Sequence, residues 1–249
     1  MALPIPECKL VRAATGRVSA SDPLARSYPS DVAEMHDATE EYLETILEIE
    51  EEGVPPIRAR LVERLGISAP AVSETVNRLV EQGYAELLDD RSLRLTGKGR
   101  KLAVSIVRRH RLAERLLTDV IGLEWEKVHR EADRWEHAIS ADVEEKLVQL
   151  LGDPATCPHG NPIPGSKHRV DTRRALPLAK AVPGPVRVTR ISEKAELDDD
   201  ALSFLVRARL VPGSEAVVVG PAVDGIAVKS DAGEQTVPAR LAELMWVTA

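Results

Sequence analysis

Two imidazoles and two carboxylates recur at helical spacing in the middle of this 249-residue chain. They are His129, Asp133, Glu136 and His137, and their spacing places them on one face of a helix. Imidazole nitrogen and carboxylate oxygen are common ligands of divalent first-row cations in proteins. The stripe predicts a site for one or two divalent metal ions; the alternative interpretation is a solvated polar face.

Pairs of the same residue types lie on two other predicted helices. His110 and Glu114 are separated by one helical turn, as are Glu41 and Glu44, so each pair shares a helix face. Either pair alone is typical of a solvated surface, but beside the stripe it could complete a ligand set.

The cysteines do not add a metal motif to these candidates. Cys8 and Cys157 lie far apart and form no closely spaced pair. This argues against a cysteine-rich metal site and fits a reducing cytoplasm.

A second group of residues has the pattern of a DNA-reading unit. Three helices are predicted at about 39–52, 58–65 and 69–82, followed by a hairpin at 84–96, which is the order of a winged helix-turn-helix. The start of the third helix would read base edges, and basic side chains around it would contact phosphates. The candidates are Ser68, Ala69, Pro70, Ser73 and Glu74 for the bases, and Arg58, Arg60 and Arg91 for the phosphates.

The charge distribution agrees with both sites, although the net charge of −7 argues weakly against a nucleic-acid partner. Residues 31–56 carry ten acidic residues and no lysine or arginine, whereas residues 57–111 carry twelve basic residues against six acidic ones. A basic face beside an acidic stretch is expected of a DNA-binding surface next to a cation site. A helical surface with solvated charges is the alternative.

The remaining chain divides by composition. Residues 1–34 contain several prolines and predict a flexible extension, residues 105–171 are mainly helical, residues 172–184 are a polar linker, and short β runs fill residues 185–249. We expect a mainly α protein with a C-terminal β-barrel. No apolar run is long enough for a membrane span and no secretory signal is visible, so we expect a cytoplasmic protein without a membrane partner.

From about Asp37 to Trp246 the sequence resembles the diphtheria toxin repressor family of metal-dependent regulators. The resemblance is carried by EYLETI, VPPIRARLVERL, SAPAVSETV, DRSLRLT, HRLAERLLTDVIGL, RWEH and GNPIPG. It implies a winged helix-turn-helix domain at 35–104, a helical dimerisation and metal-binding domain at 105–171, and an SH3-like barrel at 185–249. It also implies a homodimer on operator DNA, with two dimers per operator as an option.

The resemblance also implies ligand sets. The family's regulatory metal site falls on Glu41, Asp133, Glu136 and His137, and manganese-responsive members add Glu44 and His110. The ancillary site falls on His110, Glu114, His129, Glu193 and Glu196. His110 fits both arrangements, so its assignment stays open.

Two departures from iron-responsive relatives bear on function. Those members carry methionine at the position of Glu41 and cysteine at that of Asp133, and oxygen ligands in their place favour Mn(II) as co-repressor. They also carry glutamine at the position of Glu74, which leaves the operator sequence open. We predict a Mn(II)-dependent repressor of manganese uptake genes, not an enzyme. The alternatives are an Fe(II)-dependent repressor of iron acquisition, a metal-dependent hydrolase, and a metal-storage or scaffold protein.

Overall fold

The computed structural model describes residues 34–249, with side chains from residue 38 onward. The predicted flexible extension therefore lies outside the described residues, apart from Glu34, which begins the first helix.

The N-terminal part consists of three helices and a hairpin. These elements are α1 (Glu34–Glu51), α2 (Arg58–Leu65), α3 (Ala69–Glu81), β1 (Ala85–Leu87) and β2 (Leu93–Leu95). The strands pair antiparallel with Ala85 opposite Leu95, and a bridge between Ile57 and Ser92 joins the hairpin to the start of α2. This order confirms the predicted winged helix-turn-helix.

Apolar spacing and capping residues explain this part of the fold. Leu43 of α1 and Val76 of α3 are fully buried in one shared core. Gly66 ends α2 with φ at 69°, a left-handed conformation that glycine adopts without strain. The Ser68 hydroxyl then accepts a hydrogen bond from the Ala71 amide at 3.4 Å and caps α3.

Three further helices form the middle of the chain. They are α4 (Gly97–Leu116), α5 (Val128–Trp135) and α6 (Ala141–Leu151), with a π-helical turn at Leu117–Ile121 and a 3₁₀ turn at Trp125–Lys127 between α4 and α5. The predicted domain boundary at residue 104 falls inside α4. Ala103 and Val107 of this helix pack into the N-terminal core, whereas Leu112 and Ala113 pack into the helical one. Helix α4 is therefore shared by both parts.

The C-terminal part is a six-stranded antiparallel sheet with three short helices. Its elements are β3 (Leu176–Pro177), β4 (Gly184–Ile191), α7 (Glu193–Glu196), α8 (Asp199–Arg207), β5 (Glu215–Ala222), β6 (Gly225–Ser230), β7 (Gly233–Pro238), α9 (Ala239–Leu244) and β8 (Met245–Thr248). The strand order is β3-β8-β4-β5-β6-β7. Alternate residues of β4, such as Val186 and Val188, face a separate core. The predicted class, mainly α with a C-terminal β domain, is confirmed.

The structure corrects parts of the C-terminal prediction. Residues 172–184 do not form a linker over their whole length, because β3 pairs with β8 and Leu178 in the following turn is fully buried. Strand β7 and helix α9 were not predicted. β7 alternates weakly in polarity, and α9 is a single short helix after Pro238.

None of the helices in the described range is sufficiently long and apolar to traverse a bilayer.

Candidate metal centre and nucleic-acid interface

His110 on α4 is the residue around which the predicted ligands gather. Its side chain is buried, and its Nδ1 atom lies 2.6 Å from Glu136 Oε2 and 3.4 Å from Asp133 Oδ1. Glu44 of α1 approaches the same nitrogen, with Oε1 at 4.0 Å. We call Glu44, His110, Asp133 and Glu136 the first cluster. It joins α1, α4 and the end of α5.

One more carboxylate and an imidazole lie at the solvent side of the first cluster. His137 Nε2 is 3.3 Å from Glu136 Oε1, and His137 Nδ1 is 2.8 Å from Glu40 Oε2. Glu41 is exposed on the same stretch of α1, where its carbonyl accepts a hydrogen bond from Thr45. The structure therefore adds Glu40 to the residues predicted here. Its signal was present in the sequence as the acid preceding Glu41.

The other ring nitrogen of His110 faces a second group of ligands. Its Nε2 atom lies 3.1 Å from His129 Nδ1 and 3.5 Å from Glu114 Oε1. His129 Nδ1 is in turn 3.2 Å from Glu196 Oε2 and 3.6 Å from Glu193 Oε2. The two glutamates belong to α7 of the C-terminal part. One histidine thus stands between two candidate metal positions.

His159 completes this second group and was not predicted. Its Nδ1 atom lies 2.9 Å from Glu196 Oε2 and 3.1 Å from Glu114 Oε1, and its side chain is fully buried. Cys157 is buried beside it, with its thiol close enough to Glu114 and His159 to share a cation with them. We call Glu114, His129, His159, Glu193 and Glu196 the second cluster. A cysteine and a histidine two residues apart in the sequence could have signalled these ligands.

The loop that carries His159 is held against β4 by its backbone. The Ile191 amide donates to the His159 carbonyl at 2.8 Å, and the Asn161 side chain donates to the Ile191 carbonyl at 3.0 Å. Between them, Gly160 packs so closely on β4 that a Cβ atom there would collide with the Thr189 carbonyl. The segment GNPIPG therefore places His159 by backbone contact.

The ionisation of the second cluster reflects competition between burial and pairing. Burial alone would lower the pKa of His129, but hydrogen bonds with Glu114 and Glu196 outweigh it and raise the pKa well above the usual range. Burial likewise would raise the pKa of Glu114, but the nearby His159 and two further imidazoles hold it well below its usual value. In the metal-free protein, the protons on these imidazoles therefore balance the negative charge of the carboxylates.

The first cluster has more acids than cations. Burial, followed by the charges of Glu136 and Glu48, raises the pKa of Glu44 well above its usual range. Partial burial also raises the pKa of Asp133, whose side chain is half-exposed, although His129 and His110 oppose the shift. A divalent cation would relieve this repulsion in place of the protons.

The residues present fit such a cation. Ligand atoms of Glu44, His110 and Glu136 all lie within 4.8 Å of one another, as do those of Glu114, His129 and Glu196. Within residues 38–249, Glu114 Oε2 and His159 Nε2 are buried and have no hydrogen-bond partner. Unsatisfied buried polar atoms are costly, and a mixed oxygen and nitrogen donor set suits a first-row divalent ion.

Arg111 connects the second cluster to the N-terminal helices. Its fully buried guanidinium donates to Glu193 Oε1 at 2.9 Å, to Glu51 Oε2 at 2.7 Å and to the Pro162 carbonyl at 2.6 Å. One side chain thereby joins α1, the loop before β3 and α7.

The predicted DNA-contacting residues lie around the start of α3 and the hairpin. Ser68, Ala69, Pro70 and Glu74 are exposed, and Ser73 is half-buried. The Arg58 guanidinium donates to Asn77 Oδ1 on α3 at 3.0 Å, and Arg60 donates to the Pro55 carbonyl. Arg91 is exposed in the hairpin turn with φ at 65°. Ile57 pairs with Ser92 in an isolated bridge. Arg58 follows Ile57 and Arg91 precedes Ser92, so the two arginines flank this bridge. Arg78, exposed on α3, was missed.

Comparisons with known proteins show which family this chain resembles. Residues 34–93 match the family model of the iron-dependent repressor N-terminal DNA-binding domain, and residues 96–165 match that of the iron-dependent repressor metal-binding and dimerisation domain. The chain is 47% identical over 195 residues to the iron-dependent repressor IdeR of Mycobacterium tuberculosis, covering 74% of this chain and 85% of that protein. It is 47% identical over 191 residues to the diphtheria toxin repressor of Corynebacterium diphtheriae, covering 74% and 84%.

Solved structures show the same fold. A manganese-dependent transcriptional repressor in complex with manganese superposes with a TM-score of 0.74 at 32% identity, covering 85% of this chain and 99% of that one. These matches contradict the hydrolase alternative, because the family consists of transcriptional repressors rather than enzymes. The chain belongs to the iron-dependent repressor family, the metal-dependent, DNA-binding and dimerising regulators that include the diphtheria toxin repressor.

Proposed function

We propose that this protein is a Mn(II)-dependent homodimeric repressor that binds operator DNA when metal is bound and controls manganese uptake genes. The observation that carries the proposal is the donor set of the first cluster, in which Asp133 and two glutamates face His110 without a sulfur atom. Oxygen-rich sites favour Mn(II), whereas sulfur ligands favour softer ions. The manganese complex at 32% identity supports the same choice.

The two clusters would divide the metal ligands. Glu44, His110, Asp133 and Glu136, joined by Glu41 and His137 at the solvent side, would hold the regulatory ion. His110, through its other ring nitrogen, would hold the ancillary ion together with Glu114, His129, Glu193 and Glu196, and we add His159 to that set. When bound, each ion supplies positive charge and fixed coordination, with no chemical conversion.

The switch would act through α1. This helix carries Glu41 and Glu44 at one end of the DNA-binding part, while the other ligands of the first cluster lie on α4 and α5. Metal binding would tie α1 to those helices and restrict the spacing of the two α3 helices in the dimer. Because metal binds this arrangement better than others, it shifts the population towards the form that fits successive major grooves.

The DNA contacts follow from the exposed residues of α3 and the hairpin. Ser68, Ala69, Pro70, Ser73 and Glu74 would face the base edges, whereas Arg58, Arg60 and Arg91 would position the duplex through its phosphates. We also propose that two dimers can share one operator and that the protein acts in the cytoplasm, where its DNA target lies.

An Fe(II)-dependent repressor of iron acquisition is the second candidate. The observation in its favour is the 47% identity to iron-dependent IdeR, which exceeds the identity to the manganese complex. The two candidates share fold and mechanism and differ only in the metal that activates them.

The experiment is operator binding by the purified protein across a metal series. An operator selected from fragmented genomic DNA would be titrated in chelator, in Mn(II) and in anaerobic Fe(II), with bound metals counted by mass spectrometry. We expect tight binding in Mn(II), with half-saturation within the range of free Mn(II) that the cell maintains, and two ions per subunit. Activation by Fe(II) alone would support the second candidate, and equally tight binding in chelator would contradict both.

A further inference from the structure

Glu74 is the one acidic residue among the base-reading positions predicted on α3. It lies in the first half of α3, one turn beyond the capped start of the helix. Its side chain is exposed, and among residues 38–249 its carboxylate has neither a hydrogen bond nor an ion pair. A carboxylate facing DNA is repelled by phosphates, so its presence there needs a compensating contact.

The surroundings of Glu74 allow close approach to the duplex. The residues before it on the exposed side of α3 are small, namely Ser68, Ala69, Pro70, Ala71 and Ser73. One turn further on, Asn77 holds the Arg58 guanidinium through its Oδ1 atom at 3.0 Å, and Arg78 is exposed. Arg58 and Arg78 can therefore offset phosphate repulsion, while the small residues before Glu74 leave room for its side chain to approach the base edges.

The chemistry of the carboxylate limits what it can read. An ionised glutamate only accepts hydrogen bonds. In the major groove guanine presents two acceptors and thymine an acceptor beside a methyl group, so both are unsuitable partners. Adenine offers one donor, but its N7 acceptor lies next to it and repels the second carboxylate oxygen. Cytosine presents its N4 amino group without a competing acceptor.

We propose that Glu74 reads a cytosine N4 amino group in each operator half-site and so sets a base preference of this protein. The proposal rests on the proposed DNA-binding function and adds the class of base that the third helix selects. In this arrangement Ser68 and the small residues after it let α3 enter the major groove. Arg58 and Arg78 balance the negative charge of the Glu74 carboxylate, and Glu74 distinguishes cytosine from the other bases.

The test is a selection from a randomised duplex library with the full-length protein in saturating Mn(II), followed by sequencing. We expect one position per half-site to be enriched in cytosine for the wild type. Glu74→Gln should change that preference to adenine, because an amide can donate to N7 and accept from N6. Glu74→Ala should abolish it. Glu81→Gln, which neutralises an exposed carboxylate at the far end of α3, is the matched control and should leave the selected sequence unchanged.

The effect can be measured on the selected operator by competition. Replacing the enriched cytosine should weaken wild-type binding roughly 5- to 150-fold, the range of one good base contact, and should leave Glu74→Ala almost unaffected. An unchanged base preference in both Glu74 variants, with metal-dependent binding intact, would overturn this inference but not the proposed function. Selection that proceeds equally in chelator would instead overturn the proposed switch while the base preference is still scored. Failure to select any duplex would overturn both.

Discussion

Replacing Arg111 with methionine should destabilise the metal-free protein by several kcal/mol. The guanidinium is fully buried and pairs with Glu51 and Glu193, whose side chains are 25% and 3% exposed. Removing one partner of a buried pair leaves the other charge uncompensated, at a cost of about 3–5 kcal/mol. That is a large part of the roughly 5–15 kcal/mol by which most domains are stable. Glu193 would carry most of the cost because water cannot reach it.

The measurement is urea unfolding followed by circular dichroism. Chelator and a fixed protein concentration are required, because metal binding and dimerisation both change the apparent stability. Arg94→Met is the matched control. Its guanidinium also forms a short ion pair, 2.6 Å from Glu86, but the two side chains are 61% and 52% exposed. Removal of such a pair should cost about 1 kcal/mol or less.

A double variant separates buried charge from lost packing. In Arg111→Met combined with Glu193→Gln the neutral amide leaves no buried carboxylate, so part of the lost stability should return. If Arg111→Met costs no more than Arg94→Met, or if the double variant is no more stable than Arg111→Met alone, the explanation from buried charge is wrong.

Three further predictions concern the ligands. His110→Gln should weaken the binding of both metal ions in a calorimetric titration, whereas Glu136→Gln should weaken the binding of only one. Equal effects of the two substitutions would contradict the shared position of His110. Asp133→Cys should move activation towards iron and softer ions, and an unchanged metal preference in DNA titrations would count against the donor argument. Despite burial, hydrogen bonds with carboxylates raise the pKa values of His110 and His129. Metal must therefore displace protons, and Mn(II) affinity should fall as the pH is lowered from about 8, by up to tenfold per unit for each proton displaced. A flat pH profile would show that the imidazoles are not ligands.

Helical periodicity was sufficient to predict the elements that carry the site. The i, i+4 and i, i+7 spacing of His129, Asp133 and Glu136 placed them on one face, and they face His110 in the structure. The capped start of α3 was equally visible because Ser68 precedes an apolar repeat. Such local signals are reliable since they depend on neighbours within two helical turns.

Contacts between distant segments could not be predicted in the same way. His159 lies in a loop without periodicity, and only the backbone pairing of that loop with β4 brings it to Glu114 and Glu196. Arg111 has a helical position like its neighbours, yet its partners are 60 and 82 residues away in sequence. The short strands of the C-terminal domain were also missed in part, because β3 contains only Leu176 and Pro177.

We propose above all that a cation fixes the spacing of the two α3 helices in the dimer. The most direct test is single-molecule energy transfer between dyes on Glu81→Cys, an exposed site at the end of α3, in a Cys8→Ser background, since Cys157 is buried. We expect a broad distance distribution in chelator that becomes narrow in Mn(II), and no narrowing when Glu136→Gln is added. The same distribution with and without metal would contradict the proposed switch.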